Sequence, residues 1–141
     1  MKVVDGNNLI LGRAASNIAK KLLLGEEVAI VNAEKMVMSG DLTYLMEKYL
    51  HRRSMKDKAD PAKSPKWPRR PDLFVRRLVR GMLPFKAPRG KAAFQRLHVF
   101  IGVPKEVEGV ERITFPGTDA EKLNTKYSTV SLLCQRLGFD G

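Results

Sequence analysis

Positive charge and proline are concentrated in one internal stretch of this sequence, residues 51–96, which we call the basic segment. It holds fifteen Lys and Arg residues against three Asp, together with six of the eight prolines of the chain. Its net charge is +12, whereas the rest of the chain carries −1. Proline removes a backbone donor and favours extended chain. The part from Arg52 to Pro71 is therefore predicted to be an irregular extension rather than packed core.

The overall charge points to a polyanionic partner. A net charge of +11 and an isoelectric point near 10.0 favour nucleic acid or an acidic membrane surface. A charged run can also be only a solvated face, but this one is internal and contains more Arg than Lys, nine against six. Guanidinium groups bind phosphate bidentately. Membrane binding would need a continuous basic helix with a free apolar face, so no membrane partner is expected.

Length and cysteine content limit the class of protein. A chain of 141 residues with 43% hydrophobic residues is predicted to form one domain over residues 1–141. The single cysteine, Cys134, excludes an internal disulfide. One Cys with His51 and His98 cannot supply four zinc ligands, and no metal is expected. The N-terminus lacks a signal-peptide core, and no apolar run reaches the ~18 residues of a membrane span, which indicates an intracellular protein.

Outside the basic segment, the apolar pattern alternates between strand and helix. A helix is predicted from Arg13 to Leu24, ended by Gly25. VAIVN, from Val28 to Asn32, and LHVFI, from Leu97 to Ile101, are continuous apolar runs typical of buried parallel strands. Further elements are a helix after Asp41 with Leu42, Leu45, Met46, Tyr49 and Leu50 facing the core, a short helix at 89–96, a strand around Arg112–Phe115 and a helix over Ser131–Leu137. This order predicts an α/β sandwich with a mostly parallel sheet.

A third helix is predicted within the basic segment, capped by Asp72 and ending before Pro84. Its apolar side consists of Phe74, Val75, Leu78, Val79 and Met82. On the opposite side, Arg76, Arg77 and Arg80 fall within about 100° of one another. Three exposed arginines on one rigid helix are well placed to bind phosphates.

The sequence gives no positive sign of catalysis. The stretch from Gly6 to Gly12 leads into a helix, but it matches neither GxGxxG nor GxxxxGK[ST]. His98 lies in an apolar strand, where a sheet-face histidine is the simpler interpretation. Paired carboxylates and nucleophile–base patterns are not evident. The sequence therefore predicts no enzyme, no cofactor and no small-molecule substrate.

Several segments resemble the large-subunit ribosomal protein family L thirteen, in its archaeal and eukaryotic-type branch. The matching pieces, which cover roughly residues 4–104, are DGNNLILGRAASNIAKKLL, GEEVAIVNAEKMVMSG, RRPDLFVRRLVRGMLP and KAPRGKAAFQRLHVFIGVP. The resemblance implies a three-layer α/β/α sandwich with a mostly parallel sheet of about four strands and a basic proline-rich extension. It also implies a cytoplasmic structural constituent of the large ribosomal subunit. In that role the protein would bind large-subunit ribosomal RNA, contact neighbouring ribosomal proteins and support subunit assembly.

The charge pattern on these matching positions gives the candidate RNA-binding residues. They are Arg13, Lys20, Lys21, Arg52, Arg53, Lys66, Trp67, Arg69, Arg70, Arg76, Arg77, Arg80, Lys86, Arg89 and Lys91. Trp67 has two open interpretations: it stacks on an unpaired base, or it packs the extension against the rest of the protein. Two rival functions are an RNA-modifying enzyme and a free nucleic-acid-binding regulator.

Overall fold

The computed structural model describes residues 1–140 and contains six strands and five α-helices in that range. The strands are β1 (Lys2–Asp5), β2 (Val28–Val31), β3 (Val37–Ser39), β4 (Leu97–Val99), β5 (Arg112–Ile113) and β6 (Tyr127–Thr129). The helices are α1 (Leu11–Leu23), α2 (Leu42–Ser54), α3 (Pro71–Arg80), α4 (Pro88–Gln95) and α5 (Val130–Arg136).

Four of the strands form one parallel sheet in the order β4-β2-β1-β5. The central strand β2 is buried at every position, as expected of an apolar strand covered on both faces. This arrangement confirms the predicted α/β class and the mostly parallel, four-stranded sheet. A separate antiparallel pair, β3 with β6, was not predicted. Neither VMS nor YST is a continuous apolar run, so these segments carry no strand signal.

The two faces of the sheet are covered differently. Val4, Ile30 and Leu97 belong to one large core cluster that also contains buried residues of all five helices. On the other face, Val3, Ala29 and Val31 pack with Phe100 and Val107 from the loop region after β4. The helices therefore form a thick layer on one face, and a short irregular layer covers the other.

Most helix boundaries agree with the sequence analysis within two residues. α1 covers Leu11–Leu23, and Gly25 follows it with a φ of +93°. α5 covers Val130–Arg136, and Gly138 follows it with a φ of +110°. Left-handed glycines are common just after helices because they have no Cβ to clash.

The beginning of the predicted extension was placed three residues too early. Arg52 and Arg53 lie in the last turn of α2, which continues to Ser54. The irregular part covers residues 55–70, and we call it the arm. Asp72 is not the cap of α3: Arg70 precedes the helix and Pro71 is its first residue, a position where the missing proline N–H costs nothing.

Two predicted buried faces are less buried than the pattern suggested. Leu50 on α2 and Met82 just after α3 are each 43% exposed. β4 lies at the edge of the sheet, so only Leu97 is fully buried there and His98 is half-buried. The His98 Nε2 atom lies 2.9 Å from Oε1 of Glu27, which agrees with a hydrogen-bonded sheet-face histidine.

Candidate nucleic-acid interface

Helix α3 holds three arginines in a fixed row because its opposite side is anchored in the core. Phe74, Val75 and Val79 are fully buried and belong to the main core cluster. Arg76, Arg77 and Arg80 project from the other side of the helix, as the helical pattern predicted. We call these three residues the arginine row.

Each guanidinium of the arginine row lies on an aromatic ring from a different part of the basic segment. The Cζ atom of Arg76 is 4.5 Å from the centre of the Phe94 ring on α4. Arg77 lies 4.2 Å from the Trp67 ring of the arm, and Arg80 lies 5.1 Å from the Phe85 ring. These are cation–π distances. The expectation that the row is freely exposed was wrong: all three arginines are half-buried, because the rings cover part of each side chain.

Trp67 fastens the arm to the rest of the protein. Its ring lies 5.4 Å from Tyr49 and 6.2 Å from Phe74, centre to centre. Arg52 lies over the same ring at 5.0 Å, in addition to Arg77. In this structure Trp67 therefore packs the arm against α2 and α3, which is the second of the two interpretations left open by the sequence.

The backbone of the arm is also held at this point. Arg53 donates a hydrogen bond to the carbonyl oxygen of Trp67, and Arg77 donates one to the carbonyl oxygen of Lys66. Hydrogen bonds from charged donors are stronger than neutral ones. The C-terminal part of the arm is thus fixed by both side-chain and backbone contacts.

Positive charge is crowded around Trp67. Burial, followed by the nearby charges of Arg80 and Arg52, lowers the pKa of Arg77. Burial and the charge of Arg69 lower the pKa of Arg53. Guanidinium groups remain charged in proteins, so this crowding is unfavourable electrostatically. A bound anion would relieve it.

Carboxylates neutralise few of the candidate cations in residues 1–140. Arg70 is paired with Asp72 at 3.0 Å, and Lys21 is paired with Glu26 at 3.4 Å. No carboxylate oxygen in that range lies within ion-pair distance of the arginine row. The row therefore keeps its charge available for a partner.

The remaining candidates divide into two groups. Lys66, Arg69, Lys86, Arg89 and Lys91 are exposed on the arm, on the loop after α3 and on α4. The candidates on α1 are not joined to the arginine row by a described contact. Arg13 donates a hydrogen bond to the carbonyl oxygen of Gly117 at 3.1 Å. Lys20 is exposed, whereas Lys21 forms an ion pair with Glu26.

Sequence reasoning missed the aromatic support of this surface. Tyr49, Phe85 and Phe94 were not among the candidates, although Phe85 and Phe94 lie in the basic segment itself. Their rings meet edge to face, with centres 5.5 Å apart. Aromatic residues interspersed among arginines were the signal that would have pointed to stacked guanidinium groups.

A metal site, a reactive thiol and a membrane-spanning helix are not found among residues 1–140. Residues 1–140 contain no group of three or more His, Cys, Asp or Glu side chains placed to hold a metal ion. Burial, with a smaller effect of Asp72, raises the pKa of the Cys134 thiol to about 12, so it is a poor nucleophile. No helix within the same range has the length and apolar character of a membrane span.

The fold and this surface define an α/β protein with a preformed cationic face. The family model described as Ribosomal protein L13 matches residues 1–106, which include the whole basic segment. The chain is 44% identical over 140 residues to the large ribosomal subunit protein uL13 of Methanocaldococcus jannaschii, covering 98% of each chain. It is 46% identical over 139 residues to the uL13 of Methanococcus maripaludis, again covering 98% of each.

A third relative extends over the same length. The uL13 of Archaeoglobus fulgidus is 43% identical over 141 residues, covering 99% of this chain and 88% of that protein. The chain belongs to the ribosomal protein L13 family, and the resemblance read from its motifs is confirmed. Membership of this family also confirms the prediction of a structural protein rather than an enzyme.

Proposed function

We propose that this chain is a structural constituent of the large ribosomal subunit, bound to large-subunit ribosomal RNA through its basic segment. Its relatives carry the name of a large-subunit protein over nearly the full length of the chain. The observation that carries the RNA-binding part is the arginine row, in which three uncompensated guanidinium groups rest on three aromatic rings.

The aromatic rings matter because they fix the guanidinium groups before RNA arrives. A free arginine side chain loses about 2 kcal/mol of rotamer entropy when it is immobilised. Stacking on Phe94, Trp67 and Phe85 removes part of that loss in advance, which favours binding. Arg77 uses one N–H on the Lys66 carbonyl and the Nε atom of Arg76 is buried, so the remaining N–H groups of the row are the donors proposed for phosphate oxygens.

The exposed cations of the arm and of α4 extend the surface on either side of the row. Lys66 and Arg69 lie on the arm, and Lys86, Arg89 and Lys91 lie beyond the C-terminal end of α3. Each phosphate neutralised by a cation releases condensed counterions, which drives association. A surface of this width contacts more than one RNA helix and holds their relative arrangement, which is how the protein supports subunit assembly.

This function requires no cofactor and no turnover. We propose that the protein acts in the cytoplasm, within the large subunit, in contact with neighbouring large-subunit proteins. Arg13, Lys20 and Lys21 on α1 form a separate basic surface that contributes to these contacts. Lys21 contributes least, because Glu26 lies 3.4 Å from its ammonium group.

The salt dependence of RNA binding tests the electrostatic mechanism. With about six phosphates contacted, a plot of log K against log salt concentration for a large-subunit ribosomal RNA fragment has a slope of about −4 to −5. A flat plot would reject the mechanism.

Sedimentation distinguishes this proposal from the rival regulator. A structural constituent remains with the large subunit after centrifugation through high salt, whereas a free nucleic-acid-binding regulator is released. An RNA-modifying enzyme, the other rival, would convert its RNA substrate under turnover conditions. Finding such conversion would overturn the structural assignment.

A further inference from the structure

A cleft of about 320 Å³ lies beside the arginine row. It is lined by Arg76, Arg77 and Arg80, and also by the apolar residues Pro68, Leu73 and Phe94. Pro68 belongs to the arm, Leu73 and the three arginines belong to α3, and Phe94 belongs to α4. The cleft is largely open to solvent.

The apolar lining does not suit a phosphate backbone alone. Leu73 is on the first turn of α3 and is 43% exposed, although it stands among cations. Contact with a phosphate does not stabilise an exposed apolar side chain. Contact with the flat face of a base does, because it removes apolar surface from water. Unpaired RNA bases stack on aromatic side chains and on guanidinium planes.

We propose that this cleft binds one unpaired nucleotide of the RNA, with its base against Leu73 and the guanidinium planes and its phosphate on the N–H edges of the row. The inference rests on the proposed function, because it names the part of the RNA that this surface takes. The aromatic rings cover one side of each guanidinium, so the second face and the edges are what each arginine offers to a ligand.

A further observation fits an occupant that accepts hydrogen bonds. Arg76 is one of the lining residues, and its Nε atom is buried and has no hydrogen-bond partner within residues 1–140. A buried donor without an acceptor is unfavourable. A small movement of the side chain toward a nucleotide oxygen or ring nitrogen would satisfy it. The neighbouring positive charges complement a phosphate and disfavour a cationic partner.

Two kinds of footprint on the same RNA test the inference. The full chain is bound to the large-subunit ribosomal RNA of Methanococcus maripaludis, whose uL13 is 46% identical. Hydroxyl-radical cleavage reports protection of the backbone, and base-specific methylation reports protection of individual bases. The variant is Leu73→Ser, which shortens an exposed side chain. The matched control is Leu132→Ser, because Leu132 is 39% exposed on α5 and does not line the cleft.

The expected result is a base, unpaired in the RNA, that wild-type protein and Leu132→Ser protect and Leu73→Ser leaves reactive. The backbone footprint stays in place, and the Kd of Leu73→Ser rises about fivefold, because the base loses its apolar contact with Leu73. The slope of log K against log salt concentration stays unchanged, because no phosphate contact is removed.

Other outcomes overturn the inference in different ways. A backbone footprint without any base whose protection depends on Leu73 leaves the proposed function intact and rejects the nucleotide cleft. Absence of a backbone footprint rejects the proposed function itself. A separate titration uses free adenosine monophosphate: saturable binding at micromolar concentration, abolished by Leu73→Ser, would reassign the cleft to a free mononucleotide.

Discussion

Cations of the basic segment are held in two different ways. At the tip of the arm, Lys56, Lys58 and Lys63 are exposed, and the turn that carries them is held by short-range hydrogen bonds of Asp57 and Asp60. Lys63 also forms an exposed ion pair with Asp60 at 3.4 Å. In the arginine row, each guanidinium lies on an aromatic ring anchored elsewhere in the fold. The formal charge of the two groups is the same, and their freedom of movement is not.

This difference separates two contributions to RNA binding. Lysines on a loosely held tip contribute long-range attraction and follow the shape of the partner. Stacked arginines contribute fixed N–H groups, whose ordering cost is met during folding rather than during binding. We therefore expect the tip to affect mainly the rate of association, and the row to affect how long the complex lasts.

The largest expected effect comes from changing Gly90, whose lack of a side chain lets α4 approach the Pro84–Phe85 turn closely. A Cβ at this position would overlap the carbonyl of Pro84 and lie 2.9 Å from the nitrogen of Phe85. The Gly90→Ala change therefore forces the Pro84–Phe85 turn away from α4, moving the rings of Phe85 and Phe94 from beneath the arginines. We expect a loss of about 3 kcal/mol in the free energy of unfolding, measured with urea.

Gly12→Ala is the matched control, because a Cβ at Gly12 meets nothing within 4 Å. Alanine favours helix over glycine, so this variant of α1 is expected to gain about 0.5–1 kcal/mol. The buried thiol of Cys134 serves as the second measurement, since its raised pKa keeps it unreactive until the core opens. Equal stability of the two variants would mean that Gly90 is not needed for the close packing.

The second prediction compares the row and the tip at equal charge. Changing Arg76, Arg77 and Arg80 to Gln, and separately Lys56, Lys58 and Lys63 to Gln, removes three positive charges each time. We expect the row variant to weaken RNA binding about 100-fold, from the loss of several charge-assisted hydrogen bonds. The tip variant is expected to weaken it less than about tenfold. The Kd is measured at one salt concentration for both.

Stability gives an independent check on the same pair of variants. The row variant loses three partly desolvated cation–π contacts, so we expect it to be destabilised by about 1–3 kcal/mol. The tip variant should be as stable as the wild type within about 0.5 kcal/mol. If both triple variants lose the same affinity, only the number of charges matters and the comparison between fixed and loose cations fails.

Much of the fold could be predicted from the sequence. The long amphipathic helix α1, the continuous apolar run of β2 and the mixed order of strand and helix patterns were sufficient for the α/β class. The pair β3 and β6 was missed because VMS and YST are not continuous apolar runs and because the two segments pair from distant parts of the chain. The position of β4 at the edge depends on the order of strands in the sheet. An apolar run in the sequence cannot distinguish an edge strand from a central one.

The candidate surface was predicted less completely, for a physical reason. The helical period placed the arginine row on one side of α3 correctly. What lies against that side comes from the arm, from the loop after α3 and from α4, and local periodicity carries no information about such contacts. This is why the sequence suggested exposed arginines and left the role of Trp67 open, whereas the structure gives stacked groups.

The third prediction concerns the attachment of the arm. Trp67→Leu removes the ring on which Arg52 and Arg77 lie, so the arm is less firmly held. We expect RNA affinity to fall about tenfold, because the arm must then be ordered on binding, with an unchanged salt slope. Trypsin should cut after Lys58 and Lys63 faster than in the wild type. Trp67→Phe, which keeps a ring, is the control and should lie much closer to the wild type.

The fluorescence of Trp67, the only tryptophan, measures the same property directly. If the arm is already docked in the free protein, the emission maximum changes little when RNA binds. A large shift of the emission maximum on RNA binding would show that the contacts of Trp67 form with the complex.

The smallest expected effect concerns a cation that lies outside the basic segment and is neutralised by a carboxylate. Arg112 on β5 is paired with Asp5 on β1, outside the basic segment. Burial alone would raise the pKa of Asp5, but hydrogen bonds from the Asn32 side chain and the Asn7 backbone N–H, with the Arg112 charge, lower it below 3.8. A lowered carboxylate pKa stabilises the folded state above the ordinary value, and this stability is lost as pH falls through the folded-state value.

Asp5→Asn should therefore lower the free energy of unfolding by less than about 1 kcal/mol at pH 7, as expected of a solvent-accessible pair. The difference from the wild type should shrink as the pH falls below the ordinary carboxyl range and Asp5 takes up a proton, which urea unfolding at several pH values measures. The variant frees the charge of Arg112, yet RNA affinity should stay within about twofold, because a cation remote from the arginine row adds only screened attraction. A clear gain in affinity would show that total charge, and not the fixed placement of the row, governs binding.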